Sequence, residues 1–177
     1  MYVWIGINVN DQLLPLRIQA KEIEDRIGFS NSCYTLPYHI SLKISFVIDD
    51  DIYPKVIEDI LSYYNTIKPF DLYIRGIENE GTIAWIRMKE NETLNQIHDD
   101  LDFLLLRKYG IPRHEYDLDY KFHTTLFMDR DREKVMMAYD QIKDVELPEI
   151  LRVNRMLIGM SETGALGTFK ITHNLEI

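Results

Sequence analysis

Tyr38-His39-Ile40-Ser41-Leu42-Lys43-Ile44-Ser45-Phe46-Val47 alternates apolar and polar residues almost without a break. Side chains along a β-strand point to opposite faces with period two. The run therefore reads as a half-buried strand, with His39, Ser41, Lys43 and Ser45 on one face and Ile40, Leu42, Ile44 and Phe46 on the other. The pattern returns 84 positions later in Phe122-His123-Thr124-Thr125-Leu126. There Lys121, His123, Thr125 and Phe127 share a face, opposite Phe122, Thr124, Leu126 and Met128. Each run carries an imidazole and a hydroxyl one strand repeat apart, about 6–7 Å along the chain.

The flanking sequence repeats as well. Residues 2–9 are rich in β-branched and aromatic side chains, the mark of a buried strand. Pro15 opens a helix through Leu16, Ala20, Ile23 and Ile27, and Gly28 is its expected stop. After the strand at 38–47, the run Asp49-Asp50-Asp51 precedes a helix marked by Ile52, Val56, Ile60, Leu61 and Tyr64. Residues 70–78 and 82–88 read as strands joined by a turn at Asn79-Glu80-Gly81. Thr93 with Gln96 resembles a capping box for a helix through Ile97, Leu101, Leu104 and Leu105, ending near Gly110 with Pro112 just beyond. A strand at 120–128, a helix at 131–144 and strands at 151–160 and 168–176 complete the chain. The order strand, helix, strand, helix, strand thus occurs twice, in approximate halves 1–79 and 80–177. No Pro/Gly/Ser-rich linker separates them, so residues 1–177 are expected to form a single bilobal domain.

Composition narrows the function. Of the 177 residues, 46% are hydrophobic and 28% charged, the balance of an ordinary globular protein. A formal charge of −9 argues against tight binding of long nucleic acid, which needs a basic surface, but leaves a small phosphate ester possible inside a cleft. Cys33 is the only cysteine, which excludes an intramolecular disulfide and a cysteine metal cluster. The first residues lack a basic signal-peptide region and no stretch approaches the length of a membrane helix, so a cytoplasmic protein is expected, and a monomer.

Two imidazoles and two hydroxyls around one cleft suffice for phosphoryl transfer without a metal. One imidazole takes a proton from water and the other gives one to the departing alkoxide. Histidine suits both roles because its pKa lies near working pH. The hydroxyls donate to non-bridging oxygens, where charge grows in the transition state. A single His-x-Ser/Thr-Leu run arises easily by accident; two, at matching strands of a repeated order, do not.

His39-Ile40-Ser41-Leu42 and His123-Thr124-Thr125-Leu126 resemble the two signature motifs of the 2H phosphoesterase superfamily, and within it the bacterial 2′-5′ RNA ligase-like proteins, which include RNA 2′,3′-cyclic phosphodiesterases. The resemblance extends through the element order, including Pro69-Phe70-Asp71-Leu72 and Trp85-Ile86. It implies an α+β fold: a bilobal pseudo-two-fold repeat with two antiparallel sheets flanking a central cleft and helices packed outside. It further implies no metal and no cofactor, catalytic His39 and His123, and phosphate-binding Ser41 and Thr125. The first motif has Ser where Thr is commoner, which keeps the hydroxyl.

Other residues are candidates of lower rank. Lys43 and Lys121 share the histidine face of their strands and could neutralise phosphate, while Arg130 and Arg132 could reach the substrate from the rim. Tyr34, Tyr38 and Phe127 could stack on a base, although Tyr38 points to the opposite face from His39. Trp4 and Trp85 are expected in the core, and His98, His114 and His173 receive no function. The expected activity is hydrolysis of a small 2′,3′-cyclic nucleotide or oligonucleotide phosphodiester. The same motifs would serve 2′-5′ RNA ligation or the degradation of a cyclic-oligonucleotide signal, and a non-catalytic nucleotide-binding module is the alternative from another class. Because two imidazoles supply both proton transfers, turnover should persist in excess EDTA and gain little from Mg²⁺ or Mn²⁺. Loss on chelation with recovery on metal addition would exclude this chemistry.

Overall fold

Eight strands and four α-helices organise the chain in a computed structural model that describes residues 1–30 and 35–177. Cys33 and Tyr34 lie outside the described residues. In chain order the elements are β1 (Tyr2–Asn8), α1 (Leu14–Ile27), β2 (His39–Val47), α2 (Tyr53–Tyr64), β3 (Phe70–Asn79) and β4 (Ile83–Met88). They continue with α3 (Glu92–Tyr109), β5 (His123–Met128), α4 (Arg132–Ile142), β6 (Ile150–Val153), β7 (Arg155–Ser161) and β8 (Lys170–Glu176). Two antiparallel four-stranded sheets result, ordered β2-β1-β7-β8 and β5-β4-β3-β6. Each motif strand is thus the edge of its sheet, and each pairs with the first strand of its own half. This is the two-fold pseudosymmetric α+β fold expected.

Local signals explain the helix ends. Pro15 sits in the first turn of α1, and Gly28 closes it in the left-handed region at φ 78°. Helix α3 is capped by Asn91, whose Oδ1 accepts the Leu94 N–H at 2.9 Å, and not by a Thr93–Gln96 box. Gln96 instead reaches one turn forward to Asp100. Asp131 caps α4 by accepting from Glu133 and Lys134.

Helix packing crosses the pseudosymmetry axis. Helix α1 of the first half lies against β5 and α4, while α3 of the second half lies against β2. Each motif strand is therefore backed by a helix from the other half. Ile40 and Leu42, like Leu126, carry no accessible surface. Thr124 adds a polar tie: its hydroxyl donates to the His39 carbonyl at 2.5 Å, joining the edge strands of two sheets that share no ladder.

Three expectations about the strands change. The strand at 151–160 breaks at Asn154, so that β6 pairs with β3 in one sheet and β7 with β1 in the other. Both pieces bury apolar residues, so the hydrophobic pattern runs on while the chain changes sheet. The strand expected from 120 begins at His123. Finally, β5 carries a bulge: Ala84 faces Phe127 but Trp85 faces Thr125, which makes Leu126 the extra residue of its strand. A bulge reverses the alternation beyond it. Phe127, expected beside His123 and Thr125, turns into the core against Phe29 and is fully buried.

Thr124→Val removes the donor to the His39 carbonyl at almost constant shape. It should cost about 1–3 kcal/mol in urea denaturation, with Thr124→Ser keeping most of the stability. Equal stability of the valine variant and wild type would show that the bond between the sheets contributes nothing.

Candidate active site

The edges of the two sheets bring three of the four motif residues, His39, Ser41 and Thr125, to one cavity, with His123 outside its lining. His39 and Ser41 from β2 and Thr125 and Met128 from β5 line a cavity of about 260 Å³, closed by Trp4, Leu36 and Phe169. Met128 enters it because the β5 bulge exchanges its place with that of Phe127. His123, half-buried, precedes Thr125 by one strand repeat, and its charge is felt at His39.

Both imidazoles are held alike. His39 Nδ1 donates to the Pro37 carbonyl at 2.8 Å, and His123 Nδ1 donates to the Lys121 carbonyl at 2.5 Å. A carbonyl only accepts, so Nδ1 must carry the proton, and in the neutral ring the Nε2 lone pair remains for chemistry. Each ring also packs on a tryptophan, with centroids 4.3 Å apart for His39 and Trp4 and 4.2 Å apart for His123 and Trp85.

The two tryptophans reach their histidines from different register positions. Trp85 stands opposite Thr125, whereas the residue opposite Ser41 is Gly6. Trp4 fills that space from two residues away: a methyl at Gly6 would strike its ring and stand 2.8 Å from the Ile40 carbonyl oxygen. From there Trp4 Nε1 donates to Ser41 Oγ at 2.9 Å, leaving the Ser41 proton for another acceptor. Tyr120 also lies near Ser41.

Burial dominates the electrostatics. It pushes His39 down to about 4, only partly offset by the Pro37 bond and reinforced by the charges of His123 and Arg17. Burial also lowers His123, against the Lys121 bond and with the help of Arg87. Of the two, His39 is displaced further, so His123 is the better holder of a proton.

The lower-ranked candidates separate. Lys43 is no phosphate ligand: it is buried, with its ammonium against Asp117 and 2.7 Å from Asp102. Lys121 is exposed and 3.8 Å from Glu80. Arg130 is exposed beyond β5, and Arg132 packs by Gly81 at the β3–β4 turn. Tyr38 is buried under the Arg17 guanidinium. His98 stacks on Tyr120, His114 accepts from the Tyr116 N–H, and His173 is on β8, away from the motif strands. Trp4 and Trp85, expected only in the core, are the residues sequence reading missed. Each is the third residue of the strand beside a motif strand, which was the available signal, although their register positions differ.

The family model of the 2′-5′ RNA ligase superfamily matches residues 14–162. Comparison with curated proteins by sequence finds no match. Among solved structures, TT0787 of Thermus thermophilus is similar at TM-score 0.68 and 14% identity, over 99% of this chain and 97% of that one. Escherichia coli LigT complexed with 3′-AMP gives 0.63 and 14%, with the same coverage. Usb1 of Kluyveromyces marxianus gives 0.50 and 10%, over 99% and 98%.

Ser41→Ala leaves the Trp4 indole N–H without its acceptor, whereas Thr125→Ala loses no hydrogen bond to another described residue. Urea unfolding should register about 1–2 kcal/mol for the first and less for the second. The reverse order would contradict the bonding described.

Proposed function

Because the chain belongs to the 2′-5′ RNA ligase superfamily, a family of phosphoesterases, we propose that it hydrolyses a small 2′,3′-cyclic nucleotide or short-oligonucleotide phosphodiester, with His39 and His123 as the acid–base pair. One observation carries the reading. Two imidazoles on matching edge strands each spend Nδ1 on the carbonyl two residues back, and each stands one strand repeat from a hydroxyl. The size class is supported by the crystal structures of E. coli LigT, which hold 3′-AMP, ATP and NADP⁺. The net charge of −9 also disfavours long RNA.

The depressed pKa values divide the labour. His39, lowered to about 4, is neutral and takes a proton from water while the water oxygen attacks phosphorus. The bond from phosphorus to one ribose oxygen breaks, and His123 gives its proton to that oxygen. One water is consumed and a phosphomonoester forms. His39 ends protonated and His123 neutral, and solvent restores both. Ser41 and Thr125 donate to the non-bridging oxygens.

The pH dependence follows from the signs. Below about pH 4 His39 is protonated and cannot accept, and above the His123 pKa, which lies under its ordinary 6.5, the acid is lost. The kcat/KM profile should be a bell peaking on the acid side of neutrality, its limbs belonging to the coupled pair. Bound phosphodiester anion favours both imidazolium forms, so the kcat profile should lie at higher pH. His39→Ala and His123→Ala should each remove about 10²- to 10⁴-fold of the rate, with the double variant little worse. Ser41→Ala and Thr125→Ala should each lose about 10- to 1000-fold. A folded His123→Ala protein turning over at the wild-type rate would overturn the reading.

A further inference from the structure

Among the described residues, two cationic side chains are buried, Lys43 and Arg87. Lys43 is neutralised by Asp102 and Asp117. Arg87, on β4, is only 8% accessible, makes no ion pair with a described carboxylate, and has an Nη1 without a hydrogen-bond partner. An uncompensated buried charge is costly. Two residues away, Trp85 Nε1 is likewise buried without an acceptor. Ala84, Ile86 and Met88 of the same strand are core residues, so Trp85 and Arg87 share its other face, the one on which Trp85 meets His123. That face thus presents two unsatisfied donors side by side.

Register locates these donors at the candidate active site. Arg87 pairs with His123 on one side and with Gly76, which has no side chain to offer a carboxylate, on the other. Trp85 pairs with Thr125. The matching places in the first half hold Asn8, opposite His39, and Gly6, opposite Ser41. Asn8 is uncharged, and its Oδ1 already accepts the Asn10 N–H at 3.0 Å. The extra charge and the extra donor therefore belong to the His123 side alone.

We propose that Arg87 and Trp85 form an anion subsite on the His123 side of the cleft, which takes a non-bridging phosphoryl oxygen of the substrate. The substrate's identity rests on the phosphodiester reading; the preference for phosphate does not. A guanidinium is suited to phosphoryl oxygens, and no described carboxylate holds this one back from rotating toward them. The phosphoryl group supplies the acceptor that Arg87 Nη1 and Trp85 Nε1 lack among the described residues. It is either the scissile one or its neighbour in an oligonucleotide.

A second consequence concerns timing. The Arg87 charge opposes protonation of His123, and a bound anion cancels it. Binding would then favour the proton that His123 has to donate. The other groups facing His123 are the Tyr120 ring at 6.2 Å, the Lys121 carbonyl, and His39 across the cleft, while the Lys121 ammonium is 3.8 Å from Glu80.

The test titrates inorganic phosphate by calorimetry into wild type, Arg87→Met, Arg87→Lys and Trp85→Phe, with the His123 titration followed by NMR. Arg87→Met should weaken phosphate binding by about tenfold or more and raise the His123 pKa of the free protein. Arg87→Lys should leave that pKa near its wild-type value. Trp85→Phe should weaken binding by a few-fold, on the order of one lost neutral hydrogen bond. Kinetics on a cyclic mononucleotide and on a dinucleotide with the same cyclic end then separate the two phosphoryl sources. An equal loss on both points to the scissile group, and a loss confined to the dinucleotide points to its neighbour. A folded Arg87→Met protein with wild-type phosphate affinity and an unmoved His123 titration would overturn the subsite. If the methionine variant does not fold, wild-type phosphate affinity in both Arg87→Lys and Trp85→Phe would overturn it equally. Absence of turnover with every cyclic phosphate, while phosphate affinity still responds to Arg87, would count against the catalytic reading and leave the subsite standing.

Discussion

Two sheets that share no ladder must hold their edge strands in a fixed relation, and the hydrogen bond from Thr124 to the His39 carbonyl is made where they meet. Its donor lies between His123 and Thr125, and its acceptor is the backbone of the other histidine. The same strands are clamped from outside by helices exchanged between the halves, α1 on β5 and α3 on β2. Apolar packing brings the edges together without direction, and the hydroxyl supplies a direction. The spacing of two imidazoles and two hydroxyls depends on both.

Charge is distributed with the same economy. In a chain of net charge −9, the buried lysine is enclosed by carboxylates. Burial alone would raise Asp117, but the His98 imidazole 3.9 Å away, the Lys43 ammonium and the His114 N–H hold it well below the ordinary carboxylate range. That cluster connects α3 to β2 behind the site. Arg87 is the opposite arrangement, a buried cation beside His123 with no anion among the described residues. A surface that repels long polyanions can still contain one strongly anion-seeking place, because fields in a low-dielectric interior act over a few ångströms and the bulk charge is screened.

Pseudosymmetry is close in backbone and looser in side chains. Both histidines are fixed by the carbonyl two residues back, and both rest on a tryptophan. Yet Trp4 satisfies its indole N–H on Ser41 while Trp85 has no acceptor among the described residues, and Asn8 stands where the other half has Arg87. These differences give two like residues unlike surroundings, and acid–base chemistry needs that inequality.

Much of this was legible in the sequence. Period-two alternation around His39 and His123 determined which of His39, Ser41, His123 and Thr125 share a face, and the repeated element order determined that the halves match. Those features are local, set by backbone geometry and hydrophobic spacing. What lay beyond local pattern was decided by tertiary structure. The bulge at Leu126 put Met128 in the cavity and Phe127 in the core, since only the pairing with β4 reveals an extra residue. The change of sheet at Asn154 left no mark, because both segments are equally apolar. In β2 the extra residue Leu42 turned Lys43 off the Ser41 face, toward carboxylates 59 and 74 positions away in sequence, and Trp4 reached Ser41 only because Gly6 and Gly159 leave room for its ring. Sequence periodicity determines the face on which a side chain begins; the partners that come to meet it from distant elements decide what it does there.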